Sequence, residues 1–299
     1  MSRRAGTVAG LALGFIASLV VPTARAESPA LAKIKKTGAI TLGYRESSIP
    51  FSYLDQNQKP VGFSIDLCAP VVERIRSELK LDKLEVKLQP VNSSNRIPLI
   101  QNGTIDIECG GTSSSLARLK QVSFTVATFV SSPRWLTKRS LGIADMKGLD
   151  GKTIAVTQGS NAAGFAQAFK AKGATFEIVQ ARDHAESLLM VQTGRAAAFL
   201  EDDILLAGLK ARAPNKDDLV FLPETFDSVP YGLMLPRGDS EFKALADGVL
   251  KEMMASGAFM TLYDKWFQSP IAPYGDNLNF PPSEALKERI AKPSDKVDS

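Results

Sequence analysis

Residues 105–125 read IDIECGGTSSSLARLKQVSFT. An apolar strand over 105–109 runs into Gly110 and Gly111, then into Thr112, Ser113, Ser114 and Ser115, with Arg118 three residues beyond. Glycines let backbone N–H groups approach a ligand closely. Hydroxyls and free amides at the head of a following helix favour an anion, and an arginine fork fits a carboxylate in bidentate fashion. The stretch therefore reads as a carboxylate clamp built from Gly111, Thr112, Ser113 and Arg118. A serine-rich loop carrying a solvated arginine would have the same letters.

The clamp resembles the corresponding segment of bacterial periplasmic amino-acid-binding proteins, the solute receptors of ABC importers. Within that family the chain looks most like the glutamate/aspartate-binding branch. GYRESSIPFSY at 43–53, NRIPL at 95–99, ECG at 108–110 and Asp183-His184 carry the resemblance, which extends over nearly all of the chain beyond its N-terminal segment. It implies an α/β, two-lobed periplasmic-binding-protein fold (type II), each lobe a central, mostly parallel sheet with flanking helices, joined by two crossover segments. It further implies a protein without a cofactor that captures L-glutamate or L-aspartate by hinge closure and delivers it to a membrane permease. By the same resemblance Arg118 grips the ligand α-carboxylate, Ser160 and Asn161 close on it from the second lobe, and Asp202 receives the ammonium. Gly111 departs from the pattern, since a serine is expected there. An enzyme on the same scaffold, such as a periplasmic cyclohexadienyl dehydratase, needs a positioned general acid or base beside its clamps, for which Glu46 or His184 could serve.

These side chains need elements to hold them. Residues 1–26 carry Arg3 and Arg4, an apolar run over 8–21, and Ala24-Arg25-Ala26, the anatomy of a cleavable secretory signal. A membrane anchor would need about 20 apolar residues. A free, monomeric protein of the periplasm is expected. Removing Arg3, Arg4 and Arg25 and no acid lowers the formal charge from +4 to +1, which is no footprint for nucleic acid. Cys68 and Cys109 are the only cysteines. An oxidising compartment permits a bridge between them, two buried thiols being the alternative. With one histidine and no close Cys/His grouping, no metal is expected.

Strand and helix signals alternate after the leader. Strands are expected over 40–44, 86–91, 105–109, 153–156, 176–179 and 196–200. Helices are expected over 66–79 with Pro70 in its first turn, from Asn95 to Asn102-Gly103, from the 158–161 turn to Gly173, and from Asp183 to Gly194. Two βαβαβ units follow, and such alternation implies parallel sheets covered by helices. LIQNG at 99–103 echoes MVQTG at 190–194, as two equivalent loops facing one cleft would. Crossovers are expected at 129–132 and 222–230, with 231–235 a strand of the first lobe. This divides the chain into a leader (1–26), the first part of lobe 1 (27–131), lobe 2 (132–230), and the rest of lobe 1 with a C-terminal strap (231–299). A helix is expected over 240–254, core packing for Tyr263, Trp266 and Phe267, and a frayed last ten residues.

Specificity rests on what remains. Arg45 ends the first strand and Arg96 opens a helix, both where strand ends point into a cleft. A cation at a helix N-terminus opposes the macrodipole, so Arg96 is odd unless an anion lies against it. His184 holds the equivalent helix start in the second lobe, and Ser93 can add a hydroxyl donor. Asp202 is flanked by Glu201 and Asp203, so a helix-capping acid cluster is the competing reading; Ser160 and Asn161 likewise suit an ordinary strand-to-helix turn. Arg45, Arg96 and Arg118 against Asp202 give a pocket of about +2. Glutamate or aspartate, at net −1, suits that charge best.

Overall fold

The structure is a computed structural model and describes residues 27–271 and 275–297, together with Ser2. The expected leader otherwise lies outside the described residues. Among these, no helix is long and apolar enough to cross a membrane.

The chain folds into two α/β lobes. The sheet of lobe 1 runs Glu85–Pro90, Ala39–Tyr44, Ile107–Cys109, Met234–Leu235 and Ser123–Phe124 in spatial order. The sheet of lobe 2 runs Glu177–Ala181, Thr153–Thr157, Ala198–Asp202, Pro133–Lys138 and Leu219–Phe221. In each, the first three strands are parallel and the other two pair antiparallel. Both lobes thus repeat one plan, and of the three parallel strands the first in sequence lies between the other two. Their carboxyl ends carry the loops that meet between the lobes, the usual place for a ligand in open α/β sheets. The echoed helices Arg96–Gln101 and His184–Gln192 are each followed by a left-handed glycine, Gly103 at φ 73° and Gly194 at φ 77°.

Two short strands connect the lobes. Phe129–Ser131 pairs antiparallel with Val229–Tyr231. The expected single strand over 231–235 is therefore split, with Tyr231 in the connecting ribbon and only Met234–Leu235 in the lobe 1 sheet. Packing explains the split: the Tyr231 ring sits 5.1 Å from Phe51 and 5.8 Å from Phe129, centroid to centroid. Phe129 in turn stacks on Phe267 at 5.0 Å, and Phe267 on Tyr263 at 4.4 Å. Tyr263, Trp266 and Phe267 are buried in this core. The ribbon is rooted in lobe 1.

The helix expected from Asp66 begins earlier, as Phe63–Glu78, so Pro70 lies in its interior. Gly62 starts it at φ 140°, where a Cβ would lie 2.3 Å from the Phe51 carbonyl oxygen. Asp66 instead accepts from Trp266 Nε1 at 2.9 Å and Lys265 Nζ at 2.6 Å. The C-terminal helix Glu284–Ala291 inserts Leu286 into lobe 1. Beyond it the chain is tied rather than frayed: the Ala127 N–H donates to Ser294 O at 2.9 Å, and Asp295 pairs with Lys243 at 3.0 Å.

Cys68, on the Phe63–Glu78 helix, is joined to Cys109, the last residue of its strand, with a Cα–Cα distance of 6.3 Å and a sequence separation of 41. The bond fixes the strand end from which the Gly110–Arg118 loop departs. Closing a loop of this length restricts the unfolded chain by about 2–4 kcal/mol. Replacing both cysteines by alanine is expected to lower the unfolding free energy by about that amount. Denaturant titration checks this; an unchanged midpoint and slope would show that the bridge adds nothing to stability.

Candidate functional site

The loops at the strand ends line a tight cleft between the lobes, whose cavity volume is only about 10 Å³. Lobe 1 lines it with Ser93, Arg96, Gly111, Ser113 and Arg118, and lobe 2 with Ser160, Asn161, His184, Glu201, Asp202 and Leu205. The lobes are closed on one another here. Gly159, at φ 77°, lies so near lobe 1 that a Cβ would sit 2.6 Å from the Ser93 carbonyl oxygen.

Arg118 is buried on the short helix Leu116–Leu119, which Ser115 caps. Its Nη1 donates to Ser113 O and Oγ at 2.7 and 2.9 Å, and its Nη2 donates across the cleft to Gly159 O at 3.0 Å. Asn161 Nδ2 answers from lobe 2 with a 2.8 Å bond to Ser113 Oγ. A guanidinium has five N–H donors, so part of the fork is left for an anion. Burial, then nearby Arg96, lowers the Arg118 pKa to about 9, which leaves it charged at neutral pH.

Arg96, the first residue of its helix, is 2% exposed, and its Nε and Nη1 have no hydrogen-bond partner. A buried guanidinium in this condition is costly, and the helix dipole adds to the cost. Arg45 lies outside the cavity lining and braces its wall, donating from Nη2 to Ser93 Oγ at 2.9 Å and facing His184 Nε2 at 3.3 Å. Burial, then Arg96, lowers the Arg45 pKa to about 10.

The acids are as deeply buried. Glu108 accepts from Thr112 Oγ1 at 2.7 Å, and a Cβ on Gly110 would lie 2.1 Å from Glu108 Oε1 and 2.9 Å from Arg45 Cγ. A side chain at position 110 would therefore require Glu108 and Arg45 to shift. Glu201 Oε2 lies 3.3 Å from His184 Nδ1, and its Oε1 accepts the Asp202 N–H at 3.2 Å. Burial would raise the Glu201 carboxyl, but His184, the Asp202 N–H and Ser160 hold it below its ordinary value. Burial pushes His184 down, so the imidazole is neutral. Asp202 accepts a very short hydrogen bond from the Tyr231 hydroxyl, while its Oδ1 has no partner. Burial, and then the Glu201 charge, raises Asp202 to about 8.

Most of the residues singled out in the sequence come together here, and two of them stand back from the lining. Thr112 turns its hydroxyl to Glu108 and does not line the cavity, and Arg45 acts from behind Ser93 and His184. At Gly111 a Cβ would lie 3.0 Å from the Phe51 ring, which accounts for glycine in place of the expected serine. The charge of about +2 also needs correction, because Glu108 and Glu201 are buried beside the arginines. The three arginines and three acids balance when Asp202 is ionised, and leave +1 when it is protonated. Asp203, not Asp202, does the capping work of the acid cluster, accepting from Ser131 Oγ at 2.5 Å and Ile204 N–H at 2.7 Å. Glu108, Glu201, Leu205 and Tyr231 went unread as site residues. Glu201 carried a signal, a charged residue inside an apolar strand; Leu205 and Tyr231 carried none distinct from core packing.

Residues 40–269 match the bacterial extracellular solute-binding proteins, family 3. The chain is 46% identical over 271 residues to an L-glutamate/L-aspartate-binding protein of Pseudomonas aeruginosa, covering 89% of each. It is 39% identical over 300 residues to a glutamate/aspartate import solute-binding protein of Escherichia coli, covering 99% of each. Among solved structures, a mutant of the T. maritima arginine-binding protein superposes with a TM-score of 0.71 at 25% identity, over 80% of this chain and 99% of that one. An ancestral amino-acid-binding protein described as a precursor of cyclohexadienyl dehydratase gives 0.68 at 27%, over 79% and 98%. Two lobes, a cleft lined by both, and a match across most of its length establish that the chain belongs to the bacterial extracellular solute-binding proteins, family 3.

Proposed function

We propose that this protein captures L-glutamate or L-aspartate in the cleft, closes its lobes on it and presents it to the permease of an ABC importer, as an exported monomer of the periplasm. The observation that carries this reading is Arg96: a buried guanidinium at a helix N-terminus, with two unpartnered nitrogens, on the wall of the cleft between the lobes. A side-chain carboxylate beside Arg96 supplies the missing counter-charge. The α-carboxylate goes to Arg118 with Ser113, Ser160 and Asn161, and the ammonium to Asp202, whose Oδ1 is free to accept. Ser93, Arg45 and His184 complete the wall behind the side-chain carboxylate. The names of the relatives, which are solute-binding proteins and not enzymes, support the same ligand class. Glu46 does not supply the general acid or base that a dehydratase needs: it is exposed and outside the cavity lining.

Two measurements test the assignment. Arg96→Ala should weaken glutamate and aspartate by about 2–5 kcal/mol, because a desolvated carboxylate loses its partner. Glutamine should suffer much less, so the glutamate-to-glutamine preference should fall at least about tenfold, or about 1.4 kcal/mol. Arg118→Ala should weaken both and leave their ratio nearly unchanged. Calorimetry at one pH and salt concentration reads all the affinities; an unaltered ratio in Arg96→Ala would make Arg96 structural.

The second concerns Asp202. In the closed cleft its pKa of about 8 keeps it largely protonated at neutral pH until a cation arrives, and an ammonium favours the anion. The bound form then holds fewer protons than the free form, so affinity should rise with pH up to about 8 and level off above it. Near pH 7, binding should release a proton that calorimetry detects as a dependence of apparent enthalpy on buffer ionisation heat. Identical enthalpies in phosphate and Tris would exclude this linkage.

A further inference from the structure

An α-amino acid carries its ammonium and its carboxylate on one carbon, so a site that reads both must hold the two sets of partners at a fixed spacing. Here those partners stand on different lobes: Ser113 and Arg118 on the clamp loop of lobe 1, and Asp202 at the end of the lobe 2 strand Ala198–Asp202. Tyr231 touches both. Its backbone faces Ser113 in an antiparallel bridge, and its two neighbours fasten the same loop: the Ser114 N–H donates to Pro230 O at 2.8 Å, and the Gly232 N–H to Thr112 O at 3.4 Å. The buried ring lies against Gly111, where a Cβ would sit 3.5 Å from Tyr231 Cε2. From there the hydroxyl donates to Asp202 Oδ2, while Asp202 Oδ1 has no partner.

We propose that Tyr231 is a positioning residue that sets the spacing between the carboxylate clamp and the ammonium acceptor, its backbone segment holding the clamp loop and its hydroxyl holding Asp202. The role deepens the amino-acid reading above and rests on it. A carboxylate can turn about its Cβ–Cγ bond; a donor on Oδ2 opposes that rotation and leaves Oδ1 as the oxygen that meets an ammonium. The hydroxyl stays a donor, because burial and then the Asp202 charge push the Tyr231 pKa well above its ordinary value. It also favours the ionised acid: burial, Glu201 and Asp203 push Asp202 up, and the Tyr231 hydroxyl and Arg118 pull it down. Since the hydroxyl acts on the ammonium partner alone, a ligand without an ammonium should not register its loss.

Tyr231→Phe keeps the ring and its packing on Phe51 and Phe129 and removes only the hydroxyl. Calorimetry should show glutamate affinity falling about tenfold or more, since a hydrogen bond to a charged group is lost. Glutarate, the same dicarboxylate without the ammonium, should change little, so the glutamate-to-glutarate ratio narrows by nearly the whole of that factor. Loss of the donor should also raise Asp202 further and carry the rise of glutamate affinity to higher pH than in the wild type. In an Asp202→Ala background, where the acid it positions is gone, Tyr231→Phe should cost glutamate little more. An unchanged ratio, a pH profile that stays in place, or a full further loss in the Asp202→Ala background would each overturn the role. So would a Tyr231→Phe protein that does not fold, because the hydroxyl would then serve the fold rather than the site. If the wild type takes another α-amino acid and not glutamate, the ligand assignment fails, and the same comparison with that amino acid and its des-amino analogue decides the role of Tyr231. A wild type that binds no α-amino acid overturns both.

Discussion

Arg45, Arg96 and Arg118 lie in one closed cleft, each nearly inaccessible to solvent. Burying a guanidinium is tolerable only when its donors and its charge are met, and here the partners come from both lobes. Glu108 stands beside Arg45 within lobe 1, and Arg118 finds Ser113 in its own lobe and the Gly159 carbonyl in the other. Arg96 leaves two nitrogens without a partner, Nε and Nη1, and Arg45 leaves one, Nη1. Closure and recognition are therefore one electrostatic problem, because the groups that neutralise the arginines are complete only when the lobes meet.

That requirement constrains the frame. The ribbon between the lobes is rooted in the lobe 1 aromatic core through Phe129 and Tyr231, and Tyr231 carries its hydroxyl to Asp202 at the end of a lobe 2 strand. A residue of the crossover thus touches the acid proposed to receive the ammonium, which links the hinge to the site through a single side chain. At the opposite wall, Gly159 permits the two backbones to approach where any side chain would collide with Ser93. The disulfide holds the strand end beneath the clamp loop on the arginine side of the cleft.

Selectivity follows from the balance of the buried charges. Simple counting of the residues that face the ligand overstates the positive charge, because Glu108 and Glu201 sit just behind them. Their effect is to let three arginines share a small volume while leaving the cavity able to accept a monoanion. Neutral His184 adds no further positive charge and so preserves that balance.

Much of this was legible in the sequence. The helical and strand periods located both βαβαβ units, because each strand core and helix face must alternate to be buried. The Gly-hydroxyl-arginine run and the helix-opening Arg96 pointed to the proposed clamp, because a cation at a helix start opposes the macrodipole unless an anion lies against it. Only the tertiary structure decided the rest. Thr112 turned inward because Glu108, four residues earlier in sequence, needed a donor. Gly111 and Gly110 were fixed by Phe51, Glu108 and Arg45, contacts between segments far apart in sequence or folded back on one another. Tyr231 left its expected sheet because the aromatic core of lobe 1 claimed it, and Glu201 entered the site because a strand end in lobe 2 stops beside the helix that begins at His184. Local pattern records which residues are buried and charged; which charge faces which is set by packing between distant segments, and that pairing exists only in the folded chain.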